Sequence, residues 1–231
     1  MTGTRTLAIA VGVFLLAQAA QSQDRTLYRT YRLGNDLTSV AALANVPAAE
    51  ARIVHERPSL IRELEWRQPY VRSGLAMSQS DPVQRIVFTF YEDQLFRLVI
   101  SYDSQRTKGL TDADMIDALS ATYGAALLQP PVKSLPALTG EIVSELGAPI
   151  AQWGDENYSV GLYRSLFAQE FRVVVTSPRL EALAQTASAE ATRLDQREAP
   201  QREIDRKNKE AEDTRASQEK ARLANKATFK P

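Results

Sequence analysis

From Asp195 onward the chain carries three large apolar residues, Ile204, Leu223 and Phe229, in a run dominated by Arg, Lys, Glu, Asp and Gln. A segment of this kind cannot build a core, because burial of apolar side chains is what offsets the entropy lost on folding. Whatever packs must therefore lie before it. A coiled coil is also excluded, since it needs an apolar residue about every 3.5 positions. Glu198–Arg202, Glu203–Lys207 and Asp205–Lys209 are i,i+4 pairs with the acid first. Each stabilises an isolated helix by about 0.2–0.5 kcal/mol. Residues 195–231 are expected to form a charged, solvated tail, partly helical or disordered, interrupted near Pro200.

The other end reads as an export signal over residues 1–22. Arg5 supplies the positive charge, Leu7 through Ala17 an apolar stretch, and Ala19 or Ser22 a small residue for cleavage. The apolar stretch is shorter than the roughly 20 residues a spanning helix needs. The expected destination is the periplasm or the exterior, with no transmembrane segment once the signal is cleaved. The chain has no cysteine, so no disulfide, thiolate metal site or thiol nucleophile is expected. Its stability must come from packing. Equal counts of basic and acidic side chains, 28 each, and a pI near 6.6 argue against a nucleic-acid partner, which requires a basic surplus.

Residues 24–194 look like a single α+β domain with an antiparallel sheet. A short first strand is expected over Tyr28–Leu33, then a helix capped by Asp36 with Leu37, Val40, Ala41 and Ala44 on one face and Pro47 beyond its end. Residues 48–60 are ambiguous. Alternation over 63–67 sets Leu64 and Trp66 against Glu63, Glu65 and Arg67. Residues 83–91 and 95–102 form a hairpin about Glu92, Asp93 and Gln94, with Phe96, Leu98, Ile100 and Tyr102 expected on one face. A second hairpin is expected over 159–164 and 170–176.

Between them lies the clearest local signal, Thr111-Asp112-Ala113-Asp114, a capping box with Asp114 in the place of Glu. It opens a helix that Gly124 closes. Residues 125–149 contain Pro130, Pro131, Pro136 and Pro149 and read as a long connection, with a short helix over 139–146. Ser177-Pro178 opens the last helix, whose Leu180, Leu183, Ala184, Ala187, Ala191 and Leu194 keep helical spacing. Phe96-Arg97-Leu98-Val99-Ile100-Ser101 and Phe171-Arg172-Val173-Val174-Val175-Thr176 agree in residue type throughout, each following a tryptophan. Two readings fit this agreement, an internal repeat or the chance recurrence of strands of similar composition.

No catalytic set emerges. His55 is the one imidazole, and no motif supplies it with partners. Asp103, Asp112, Asp114 and Asp117 cluster about the capped helix but lack the ligand order and turn glycine of a calcium loop. Acidic residues in a first helical turn are also explained by the helix dipole. Arg106 and Lys108, just before that helix, could meet an anion. Arg106, Lys108 and Asp114 are therefore the candidate ligand-binding residues, with no metal or cofactor expected. There is no nucleophile elbow, phosphate loop or dinucleotide glycine pattern. The expected function is an exported, non-enzymatic interaction module for an envelope or secreted protein. The alternatives are an exported hydrolase or small-ligand binder working near Thr111, and a structural envelope spacer.

Overall fold

The computed structural model describes residues 24–69, 81–127, 146–165 and 170–228. The expected export signal, most of the expected proline-containing connection and the short helix expected within it lie outside the described residues, apart from Leu146.

A two-stranded ribbon, β1 (Leu27–Tyr28) and β2 (Tyr31–Arg32), leads into α1 (Leu37–Ala44). Asp36 caps α1 by accepting from the Ser39 amide at 2.9 Å, and Leu37, Val40, Ala41 and Ala44 are its buried face. The ambiguous stretch resolves into one 3-10 turn (Ala48–Glu50) and an edge strand, β3 (Arg52–His55). There follow β4 (Ile61–Arg67), β5 (Val83–Tyr91), β6 (Gln94–Tyr102) and α2 (Asp112–Tyr123). The chain then forms β7 (Ala148–Gly154), β8 (Ser159–Arg164), β9 (Phe171–Thr176) and α3 (Pro178–Thr228).

The fold is α+β. Strands β3 to β9 make one antiparallel sheet of seven in the order β3-β4-β5-β6-β9-β8-β7. The two expected hairpins are its middle. Leaving β3 aside, the order is palindromic about the β6–β9 seam. The two similar hexapeptides are the strands at that seam, paired so that Arg97 lies opposite Thr176 and Ser101 opposite Arg172. Trp66 pairs with Ile86, which pairs with Ile100; Trp153 pairs with Val160, which pairs with Val175. The repeat read in the sequence is thus a local twofold, with Arg97 and Arg172 in equivalent places, as are Trp66 and Trp153.

One face of the sheet carries the main core under α1 and α2: Leu64, Phe88, Phe90, Leu98, Ile100, Trp153, Val160 and Val175 are among its side chains, all fully buried. Tyr31 meets Phe88 edge to face, centroids 4.7 Å apart. The opposite face is covered in part by α3, which sets Leu180, Ala184 and Ala187 against Ile61, Tyr91 and Phe96.

Four expectations need correction. Phe96 does not share a face with Leu98: a bulge between Thr89 and Phe90 pairs Phe90 with Leu95, so Leu95 joins the main core and Phe96 turns to α3. The β5–β6 link has two residues, Glu92 and Asp93, both at positive φ (44° and 68°), the conformation of a primed hairpin turn. Residues 148 and 149 belong to strand β7 rather than to a connection; Pro149 is tolerated because β7 is an edge. Pro200 does not interrupt α3, which runs 51 residues, about 77 Å at 1.5 Å per residue. Glu198, in the turn before the proline, is tied to Arg57 at 2.7 Å, and Arg202 beyond it reaches back to Asp195 at 2.6 Å. These pairs bracket the missing hydrogen bond.

The capping box forms as expected: the Thr111 hydroxyl accepts from the Asp114 amide at 3.2 Å, and the Asp114 carboxylate accepts from the Thr111 amide at 2.7 Å. Thr111→Ala should lower stability by about 1 kcal/mol, read as a shift in the urea midpoint. An unchanged midpoint would mean that the box adds nothing to the fold.

Candidate functional site

A cavity of about 710 Å³ opens between β1, α2 from Met115 to Tyr123, the end of β6 and the 103–111 loop. Leu27, Met115, Leu119 and Tyr123 form its apolar wall, and Arg29 and Arg106 lie at its polar end. α2 presents that wall because Met115, Leu119 and Tyr123 recur at helical spacing, and the box at Thr111 fixes where the helix begins. The loop before it is held by Asp103, which accepts from the Gln105 amide at 2.8 Å and the Arg106 amide at 3.0 Å. This turn brings Arg106 to the cavity.

The Tyr28 and Tyr102 hydroxyls meet at 3.2 Å in the cavity. Burial first pushes both phenols above their ordinary range; a charge on Tyr102 would raise Tyr28 further, whereas the hydrogen bond with Tyr28 partly offsets the rise at Tyr102. Arg29 forms a two-pronged ion pair with Asp81, which holds the Asp81 carboxyl below the usual carboxylate range. Thr107 donates its hydroxyl to the Asp103 carbonyl at 2.9 Å. The phenols stay protonated and the carboxylate stays ionised, so neither is poised near neutrality as a general base. An apolar wall with a few convergent polar groups is the geometry of a binding pocket.

The three sequence candidates part company. Arg106 lines the cavity, whereas Lys108 is exposed and does not. Asp114 is spent on the cap, where the hydrogen bond from the Thr111 amide, then that from its hydroxyl, hold its carboxyl below the usual range. Arg29, Tyr28 and Tyr102 were missed. They come from the ribbon and the end of β6, far apart in sequence, and no spacing joins them. His55 lies by the opposite face of the sheet, in a hollow shared with Arg57, Leu194 and Asp195 of α3. The sheet separates it from Asp114. Asp112 pairs with Arg164, whose guanidinium stands 4.7 Å from the Phe171 ring centroid.

Among the described residues no group of three or more His, Cys, Asp or Glu converges as a metal site, and no helix is long and apolar enough to cross a membrane. Comparison with known proteins finds no family model, no curated protein and no solved structure that matches this chain.

The buried phenols set the alkaline limit of the fold. Tyr28, Tyr102 and Tyr123 are pushed up, and Tyr163 to about 12, by burial first in each case. Between the unfolded phenol value, about 10, and these raised values the folded state keeps protons that the unfolded chain releases. Their stabilising contribution is complete below about pH 10 and is lost as pH rises through the folded values. Urea midpoints should hold from pH 8 to 9 and fall steeply above 10; a flat profile to pH 11 would contradict the burial of these hydroxyls.

Proposed function

We propose that this chain is an exported, non-enzymatic binding module: a domain that takes a partner in the cavity under α2 and stands on a long solvated helix. The observation that carries this reading is the course of α3. Glu181, Ala184, Ala187 and Ala191 are buried against the domain, and from residue 199 to residue 227 every side chain is exposed. The exposed part carries local side-chain contacts along the helix, among them the ion pairs Arg206–Glu203 at 2.7 Å and Lys207–Glu203 at 3.4 Å and the Gln201–Asp205 hydrogen bond at 2.9 Å. Such a helix adds reach without adding core. Its continuity also favours a second reading, an envelope spacer, in which the length of the helix is the function.

Because the helix leaves the domain near Leu194, a chain ending there should melt within about 2 °C of the full chain, a small shift for a domain of this size. A large loss would mean that the distal helix packs as part of the fold.

The functional test is capture from an envelope extract by three forms: the full chain, a chain ending at Leu194, and Ala118→Trp. Ala118 is exposed and lines the cavity, so tryptophan fills the space without entering the core. A partner retained by the shortened chain and lost by Ala118→Trp supports binding in the cavity. Equal capture by all three forms overturns it. Loss from the shortened chain alone moves the docking element to the helix and favours the spacer.

A further inference from the structure

On the α3 side of the sheet, away from the cavity under α2, one row of cross-strand neighbours reads Arg67, Arg85, Ser101, Arg172 across β4, β5, β6 and β9. Adjacent strands lie about 4.8 Å apart, so Arg85 and Arg172 stand roughly 10 Å apart with the smallest side chain of the row between them. The result is a cup of about 310 Å³ in whose lining Ser101 and the three arginines are joined by Gln68, Gln84 and Glu170.

Like charges placed directly opposite across strands are destabilising, and Arg67 and Arg85 are such a pair. Glu65 relieves it by accepting from Arg67 and from Arg85 Nε, the latter at 2.8 Å. Among the described residues Arg172 has only Glu170, at 3.7 Å, and its Nε is buried without a hydrogen-bond partner. Three arginines therefore share two carboxylates among the described residues, and one positive charge is left over in the cup.

The local twofold shows what this position lacks. Arg97, the counterpart of Arg172, lies at the end of the sheet that α3 crosses, and its guanidinium is met by the buried carboxylate of Glu181. Among the described residues, the ion-pair partner of Arg172 is Glu170, just before its own strand, not a helix residue. We propose that the cup binds a small oxyanion, a carboxylate, phosphate or sulfate group, which sits between Arg85 and Arg172 over Ser101 and supplies to Arg172 what Glu181 supplies to Arg97. Guanidinium forks match the planar or tetrahedral oxygens of such groups and give charge-assisted hydrogen bonds.

The test is calorimetric titration of the full chain with citrate, inorganic phosphate and sulfate, each at constant ionic strength set with sodium chloride. The proposal expects saturable one-to-one binding of at least one of the three. It also expects that binding to weaken about tenfold or more in Arg172→Gln and in Arg85→Gln, because each removes a charge-assisted contact. The ranking of the three probes identifies the oxyanion class. Arg85 is substantially exposed, so its substitution leaves the core intact and keeps the test valid if Arg172→Gln folds poorly. Urea midpoints of both variants accompany the titrations. Absence of saturable heat with all three probes would overturn the proposal. So would equal affinity in Arg85→Gln and the unsubstituted chain.

Discussion

Replacing Arg97 with alanine is expected to cost about 3–5 kcal/mol of stability, the range for removing one partner of a buried ion pair. Arg97 and Glu181 expose 11% and 6% of their side chains, so water cannot take the place of the lost partner. The Glu181 carboxylate would be left buried near Tyr163, whose hydroxyl its charge already helps to push up. Glu181 also sits in the first turn of α3, where a negative charge is favourable, so the pair fixes the angle at which the helix leaves β9. The double substitution Arg97→Met, Glu181→Leu should recover most of the loss, because apolar replacement of a buried pair removes the desolvation cost as well as the attraction. Urea denaturation of the two single variants and the double variant measures this directly. A loss below about 1 kcal/mol for Arg97→Ala would place the pair in water, at the level of a surface salt bridge.

The second large effect concerns Trp153. It is fully buried near the C-terminal end of β7, and its indole Nε1 donates to Ser120 Oγ on α2 at 3.1 Å. Trp153→Ala should cost about 3–5 kcal/mol from lost transfer energy and the cavity left behind. Trp153→Phe should cost less, with the unmade hydrogen bond of Ser120 contributing about 1 kcal/mol. The counterpart under the local twofold, Trp66, is only half-buried, and Trp66→Ala should cost less than Trp153→Ala. Equal losses at the two tryptophans would mean that α2 does not close over Trp153 as described.

The parts of the fold legible in the sequence are those set by local chemistry. Asp36, Thr111 and Gly124 bound their helices because a cap needs only its neighbours. Alternation identified β5, β6, β8 and β9 because each has at least one buried face. The bulge that turns Phe96 to the far side was not legible, since it depends on how β5 and β6 register about a two-residue turn. β7 was obscured by Pro149 and by the absence of a strong apolar alternation near its start. The continuity of α3 was hidden for another reason: with no apolar seam, its helicity rests on the propensity of Ala, Glu, Gln, Lys and Arg and on ion pairs that individually contribute little.

The sites were less legible still. Arg106 was found because it precedes a helix N-terminus, and the structure places it at the cavity, although Lys108 and Asp114 are elsewhere. The rest of that cavity joins the ribbon, β6 and α2, which only the tertiary fold brings together. The arginine row is invisible in sequence for the same reason. Its members are neighbours across strands, and the β6–β9 seam that places Arg172 beside Ser101 joins the two halves of the chain.

The central claim is that a folded domain carries a continuous, solvated helix. The absence of native cysteine allows spin labels to be placed without background, at Ala199→Cys and Ala221→Cys in the full chain, both exposed and on either side of most of the distal segment. Electron–electron distance measurement should give one narrow population near 33 Å, from 22 intervals of about 1.5 Å each. A broad distribution centred well below that distance, as a flexible coil gives, would contradict the account and leave the domain without its rod.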